Sequence, residues 1–244
     1  MSERKAYDDV RRFGVILPSV NTVLESELYG LGVDDATFHF VRVRGERGSD
    51  ETILRRMADE APEVARILRD ARPEMIVFAC TSGSLVGGPG FDEEVAASIT
   101  TATGIPATTT ATEVLSALRA LRARVIGVGT PYLDWVTESE VRFFEAAGFR
   151  VAATASLGLD DGHAMAALTE RQGGDLARSV NHPEADAIFL SCTDLPTLGS
   201  IAKLEAELGK PVVSSNLATI RGMLGDDRRL GGLGTLFAGA RQPT

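Results

Sequence analysis

The sequence contains few of the residues that bind metals or form disulfide bonds. Its 244 residues include two cysteines, three histidines and one tryptophan. It has no Cys-x-x-Cys pair, and His39, His163 and His182 are too few to complete a structural zinc site. In a reducing compartment, two cysteines are expected to stay free thiols. The sequence therefore predicts neither a metal site nor a disulfide.

Long apolar runs and basic runs are also missing. No apolar segment is long enough to cross a bilayer, and residues 1–12 form a polar leader without the apolar middle of a signal peptide. The formal net charge is −9, which argues against nucleic acid or an anionic membrane as a partner. We therefore expect a cytoplasmic globular protein that binds neither nucleic acid nor membrane.

What the chain does contain is a repeated motif in which an apolar run ends at Cys-Thr. Cys80 precedes Thr81, and Cys192 precedes Thr193. Each apolar run is typical of a buried strand. Ligands of open α/β sheets bind beyond the carboxyl ends of the strands, so the two thiols are predicted to face each other across one pocket.

The order of strands and helices also occurs twice. The strand that ends at Pro18 matches one that ends at Pro131, at the same offset of about 112 residues that separates the cysteines. The pattern predicts an α/β fold of two pseudo-symmetric lobes, each a parallel sheet flanked by helices, with the active site in the inter-lobe cleft. Lobe 1 is predicted to span residues 13–122 and to be completed by residues 212–244, and lobe 2 to span residues 123–211.

Two further segments give specific expectations. An amphipathic helix is predicted at about residues 50–70 in lobe 1 and at about 163–180 in lobe 2, where Gly173-Gly174 weakens it. Four glycines between residues 83 and 90 predict a flexible loop, either a lid over the site or an ordinary connection.

The repeated position of the thiols favours a functional role over that of small core side chains. A thiolate is a strong nucleophile and a competent base. Its ordinary pKa of about 8.5 falls when backbone N–H groups at a helix start point at it. Thr81, Ser82 and Gly83 could supply such groups, although a strand-to-helix turn of small residues would look the same. We expect a lowered pKa at one thiol.

The paired Cys-Thr strand ends resemble the aspartate/glutamate racemase superfamily. Three segments look most like maleate cis-trans isomerases and their arylmalonate decarboxylase relatives: residues 18–22 (Pro-Ser-Val-Asn-Thr), 80–84 (Cys-Thr-Ser-Gly-Ser) and 129–132 (Gly-Thr-Pro-Tyr). The likeness extends from about Phe13 to Leu230.

The resemblance implies a cofactor-independent isomerase with two catalytic cysteines, whose substrate is a small mono- or dicarboxylate. Cys80 would add to the double bond of maleate, the resulting single bond would rotate, and elimination would give fumarate, with Cys192 handling the proton. A homodimer or larger homo-oligomer is expected. The substrate-binding residues that the resemblance implies are Pro18, Ser19, Asn21, Thr81, Ser82, Gly83, Tyr132 and Thr193.

Two departures leave alternatives open. Asp160-Asp161-Gly162-His163 stands where maleate isomerases carry Asp-Asn, and His163 could replace the missing amide or be a solvated helix-start residue. The segment after the second thiol, Thr193-Asp194, is more similar to racemases and ectoine-utilisation proteins. The same thiols would serve a racemase or an arylmalonate-type decarboxylase as acid and base. A third possibility is a two-lobed binding protein without chemistry.

Overall fold

The molecule is built around two parallel sheets of four strands each. The structure is a computed structural model that describes residues 9–45 and 50–238. Most of the predicted polar leader therefore lies outside the described residues. The sheet orders are β2-β1-β3-β4 and β6-β5-β7-β8, so each lobe repeats the strand order of the other. The predicted α/β fold of two similar lobes is confirmed.

The first lobe alternates strands and helices, and all of its paired strands are parallel. Its elements are β1 (Arg11–Pro18), α1 (Val23–Gly30), β2 (Ala36–Val43), α2 (Glu51–Leu68), a 3-10 turn (Arg69–Ala71), β3 (Met75–Phe78), α3 (Thr81–Leu85), α4 (Phe91–Thr103), β4 (Ala107–Thr109) and α5 (Thr110–Ala120).

The second lobe follows the same plan with parallel pairing throughout. Its elements are β5 (Val125–Tyr132), α6 (Asp134–Ala146), β6 (Arg150–Leu159), α7 (Gly162–Ala166), α8 (Glu170–Ser179), β7 (Ala187–Leu190), a 3-10 turn (Leu198–Ser200), α9 (Ile201–Leu208) and β8 (Val212–Ser214), followed by α10 (Ser215–Leu224) and α11 (Thr235–Ala238).

The carboxyl-terminal segment divides between the two lobes. β8 pairs with β7 and so belongs to the second sheet, whereas residues 212–244 were expected to complete lobe 1. α10 then crosses back and packs against α5 of the first lobe, where the hydroxyl oxygens of Thr110 and Thr219 lie 2.9 Å apart. β8 therefore differs from the expected boundary, and the rest of the expected division into lobes stays a prediction.

Two local expectations need correction. The helix predicted over residues 163–180 is interrupted, because Thr169 forms a capping box with Gln172 and starts α8 as a separate helix. The glycine-rich segment 83–90 is helical as far as Leu85, because Cys80 caps α3 and its sulfur accepts the backbone N–H of Gly83. The irregular part of the predicted loop is therefore shorter than its glycines indicate.

The central strands are buried on both faces, as parallel sheets require. Phe13, Val15, Ile16 and Leu17 of β1 all have negligible exposure. In β5, a Cβ at Gly127 would lie 2.1 Å from the Val180 carbonyl oxygen, so only glycine lets the end of α8 pack this closely. No helix among the described residues is long and apolar enough to span a membrane.

Candidate active site

Both cysteines line one cavity at the carboxyl ends of the central strands. Cys80 follows β3 and Cys192 follows β7, each two residues beyond the last strand residue. The cavity has a volume of about 70 Å³. Its lining comprises Pro18, Val20, Gly45, Ile53, Leu54, Met57, Cys80, Thr81, Ser82, Tyr132, Asp160, Gly162, Met165, Cys192, Thr193 and Asp194. The strand ends of both lobes thus contribute to a single cavity.

Cys80 is a buried thiol at the start of α3. Its sulfur accepts the backbone N–H of Gly83 at 3.3 Å, and the Ser82 hydroxyl lies 4.0 Å away. Burial nevertheless raises the pKa of Cys80 to about 11, and the charge of Asp194 adds to the increase. The expectation of a lowered pKa at this thiol is therefore wrong, because desolvation outweighs the helix-start donors.

Cys192 is held in an unusual backbone conformation. Its φ of 96° lies in the left-handed region, which costs a non-glycine residue about 1–3 kcal/mol. The backbone N–H of Cys192 donates to the Ser215 hydroxyl at 3.0 Å, and Thr81 donates to the same oxygen at 2.8 Å. Ser215 thereby connects the two Cys-Thr motifs directly.

The sulfur of Cys192 is surrounded by groups of its own lobe. It accepts the backbone N–H of Asp194 at 3.2 Å and lies 3.8 Å from the sulfur of Met165. Burial raises the pKa of Cys192 most, and the nearby Asp194 carboxylate raises it further. Both thiols are therefore protonated in the unliganded protein at neutral pH.

Polar contacts hold the lobes together beside the thiols. The Asn21 amide donates to the Thr193 hydroxyl at 3.0 Å, and Thr193 donates to the Ala79 carbonyl at 3.2 Å. The carboxylate of Asp194 accepts the backbone N–H of Thr22 at 2.9 Å. An acid from lobe 2 therefore caps helix α1 of lobe 1, where a negative charge is favourable.

The structure brings most of the predicted site residues together. Pro18, Thr81, Ser82, Tyr132 and Thr193 line the cavity with the two cysteines. The other four predicted residues do not line it.

The four predicted residues outside the cavity lining are Ser19, Asn21, Gly83 and His163. Ser19 accepts the backbone N–H of Gly45, and Asn21 is fully buried between the lobes. Gly83 lies behind the first thiol, where a Cβ would approach the Cys80 sulfur to 2.9 Å. His163 is exposed at the start of α7, although its charge lowers the pKa of Asp194.

Sequence reasoning missed an apolar wall and two acids. Ile53, Leu54 and Met57 come from α2, whose apolar residues read as an ordinary core face. Asp160 and Asp194 are the charged side chains in the described lining. Asp194 had a visible signal, since it directly follows the second Cys-Thr motif. Its burial raises its pKa to about 6.

We expect alkylation of Cys80 by iodoacetamide to follow its raised pKa. Because the thiolate is the reactive form, the labelling rate should rise about ten-fold per pH unit above neutrality and level off near pH 11. Mass spectrometry of the Cys80 peptide measures the rate, and the Cys192→Ser variant removes the second thiol. A plateau reached near pH 7 would contradict the burial argument.

A metal site has no support in the geometry. Within residues 9–45 and 50–238, no three His, Cys, Asp or Glu side chains are grouped so that they could hold a metal ion.

Comparison with known proteins places the chain in a family. The family model described as arylmalonate decarboxylase matches residues 46–237. The maleate isomerase of Nocardia farcinica is 32% identical over 220 residues, which cover 86% of this chain and 87% of the relative. That of Geobacillus stearothermophilus is 28% identical over 223 residues, which cover 86% and 88%.

Solved structures agree with the sequence comparison. A Cys-to-Ala variant of the maleate isomerase Iso from Pseudomonas putida, with maleate, aligns with a TM-score of 0.90 and 30% identity over 95% of this chain and 98% of that one. A Cys-to-Ser variant of the Nocardia farcinica enzyme, with a covalently bound succinylcysteine intermediate, aligns with a TM-score of 0.88 and 28% identity over 93% and 98%. The chain therefore belongs to the arylmalonate decarboxylase family, within the aspartate/glutamate racemase-like superfamily.

Proposed function

We propose that this protein is a cofactor-independent isomerase that converts maleate to fumarate with two cysteines. The observation that carries the proposal is that Cys80 and Cys192 line one small cavity between the lobes. The succinylcysteine in the Nocardia farcinica relative supports it, because that adduct is what thiol addition to maleate produces. The same two thiols would also serve a racemase, and the maleate isomerases among the relatives favour isomerisation.

In the proposed reaction, the Cys80 thiol gives its proton to solvent water, to be regained when the sulfur leaves at the end of the cycle, and the resulting thiolate attacks one alkene carbon. A sulfur–carbon bond forms, and the π electrons move into the neighbouring carboxylate to give an enediolate. The Cys192 thiol then gives its proton to the second alkene carbon and becomes a thiolate. The carbon–carbon bond is now single and rotates. Cys192 removes the proton again, the double bond re-forms as fumarate, and the Cys80 sulfur leaves.

The polar groups of the cavity suit the charge that develops on the carboxylates. We assign this role to the hydroxyl of Ser82 and to the backbone N–H groups at the start of α3, and the substrate contact that the resemblance implies for Tyr132 stays a prediction. Thr193 and Asn21 support the site from behind through their mutual hydrogen bond. The roles that the resemblance implies for Ser19, Gly83 and His163 stay predictions.

The apolar wall contributes by lowering the dielectric on one side of the cavity. Leu54 and Met57 of α2 are both nearly buried and form the side of the cavity that lacks polar groups. Hydrocarbon beside the substrate strengthens hydrogen bonds to the enediolate, because it lowers the local dielectric. It also accounts for the raised pKa of both thiols.

Proton NMR in D₂O tests the proposal. Purified protein with maleate should produce the vinyl signal of fumarate, whereas D-glutamate, L-aspartate and phenylmalonate should stay unchanged. Deuterium incorporation at Cα of an amino acid would identify a racemase instead, and loss of CO₂ from phenylmalonate a decarboxylase. The absence of any reaction would leave a binding protein. The expected homo-oligomer stays a prediction.

A further inference from the structure

A buried carboxyl group lies behind the cavity and has no part in the chemistry described so far. Glu140 of α6 is 0% exposed. Its Oε1 atom lies 2.8 Å from the Ser191 hydroxyl oxygen, and its Oε2 atom is buried without a hydrogen-bond partner among the described residues. Ser191 directly precedes Cys192. The carboxyl group of Glu140 therefore contacts the residue that precedes the second thiol, and not the thiol itself.

A line of hydroxyl groups connects Glu140 to that thiol. The Ser191 hydroxyl is positioned to donate to the Tyr132 hydroxyl oxygen at 3.5 Å. The Tyr132 hydroxyl in turn lies close enough to the Cys192 sulfur to lower the pKa of that thiol. Both Tyr132 and Cys192 line the cavity. The order of the groups is therefore Glu140, Ser191, Tyr132, Cys192.

Proton counting shows which form of Glu140 this line needs. A serine hydroxyl carries one proton, so Ser191 cannot donate fully to both Glu140 and Tyr132. If Glu140 is protonated, its acid O–H donates to Ser191, and Ser191 donates to Tyr132. The Tyr132 O–H is then left to donate to the Cys192 sulfur. With Cys192 as the thiolate, which has no proton to donate, all three hydrogen bonds form together only with a neutral carboxyl group.

The surroundings of Glu140 also favour the neutral form. Burial raises the pKa of Glu140 to about 8, and the Ser191 hydroxyl opposes that increase only in part. The elements that pack most extensively against α6 are α3, β5 and β6. α3 has no titratable side chain and β5 offers Tyr132. β6 offers Arg150, which pairs with Glu184. The described neighbours thus supply no cation to stabilise a carboxylate.

We propose that neutral Glu140 is a positioning residue, which acts through Ser191 to direct the Tyr132 hydroxyl toward Cys192. The inference rests on the proposed isomerisation, in which Cys192 gives its proton to carbon and becomes a thiolate. In that step the S–H bond breaks, a C–H bond forms, and the negative charge moves from the enediolate to sulfur. The directed Tyr132 hydroxyl stabilises that charge.

Loss of the Glu140 proton reverses the direction of the hydrogen bond between Glu140 and Ser191. The carboxylate takes the Ser191 proton, so Ser191 no longer donates to Tyr132, and a second negative charge lies close to the Cys192 thiolate. The rate of proton transfer should fall as a result. The wild-type kcat for maleate should therefore decline as the pH rises through about 8.

Three variants test the proposal through the pH profile of kcat. Glu140→Leu and Ser191→Ala each break the line and should lower kcat at pH 7 about ten-fold or more, with a smaller change in KM. Glu140→Gln keeps a neutral donor for Ser191, so it should restore most of the rate at pH 7 and remove the decline near pH 8. Glu138→Gln, on the exposed face of the same helix, is the matched control and should keep the wild-type profile.

Infrared spectroscopy separates this inference from the proposed function. A carboxylic-acid carbonyl band should be present at pH 7 in the wild type and missing in Glu140→Gln, whether or not maleate is the substrate. A missing band in the wild type, or a Glu140→Gln profile that declines like the wild type, would overturn the role of Glu140. Absence of maleate turnover with the band intact would overturn the proposed reaction only.

Discussion

Replacement of Cys80 by serine should abolish the conversion of maleate to fumarate, with kcat lowered at least about a thousand-fold. A serine hydroxyl at this position fills nearly the same volume but is a far weaker nucleophile than a thiolate. The start of α3 offers no base that would activate it, since its residues are Thr-Ser-Gly-Ser-Leu. The NMR assay with maleate measures the rate, and circular dichroism verifies the fold.

Replacement of Cys192 by serine should block the reaction at a different step. In Cys192→Ser, Cys80 can still form the sulfur–carbon bond, but removal of the proton from the adduct becomes slow. An adduct heavier than the protein by one molecule of maleic acid should accumulate on Cys80, as mass spectrometry of the intact protein would show. Turnover by Cys80→Ser at the wild-type rate would refute the covalent mechanism, whatever the behaviour of Cys192→Ser.

The position of the thiols could be predicted because it depends on local and repeated signals. A buried strand followed by Cys-Thr is visible in a few residues, and the carboxyl ends of parallel strands meet at one edge. Duplication then places Cys80 and Cys192 at matching positions. The same reasoning applied to the Pro-Val-Val strand would have assigned β8 to lobe 2, because β4 occupies the matching edge of lobe 1.

Other features of the site depend on tertiary packing and have no local signal. The amphipathic pattern of α2 predicts a buried face but does not show that Ile53, Leu54 and Met57 border the cavity. The prediction that a thiol pKa would be lowered was wrong for a similar reason. Donors at a helix start can be recognised in the sequence, whereas the desolvation that outweighs them arises from residues distant in the chain.

Asp194 and Glu140 are two buried acids that were not predicted from the sequence, for different reasons. Asp194 follows the second motif directly, and its position beside the thiol follows from the motif alone. Glu140 lies in a helix whose sequence, Thr-Glu-Ser-Glu-Val-Arg, is typical of a solvated surface. Only the fold shows that Glu140 is buried behind Ser191 while Glu138 is exposed.

The second large effect concerns stability, and it follows from the buried carboxyl group of Glu140. Its pKa is raised from an ordinary value near 4.5 to about 8 in the folded protein. Between these two values the unfolded chain releases the proton while the folded protein retains it, so stability falls as the pH rises. The loss is about 1.4 kcal/mol per pH unit and levels off above pH 8, after a total of about 5 kcal/mol.

Glu140→Gln removes this dependence because glutamine does not titrate. Urea unfolding of both proteins should show the variant gaining about 2 kcal/mol in free energy of unfolding, relative to the wild type, between pH 6 and pH 8. Glu138→Gln should follow the wild type, because an exposed carboxylate is ionised in both states. Parallel curves for Glu140→Gln and the wild type would mean that Glu140 ionises freely in the folded protein. In that case the Glu140 proton could not be the one that orders Ser191 and Tyr132. The unfolding curves and the pH profile of kcat therefore test the same protonation state by independent measurements.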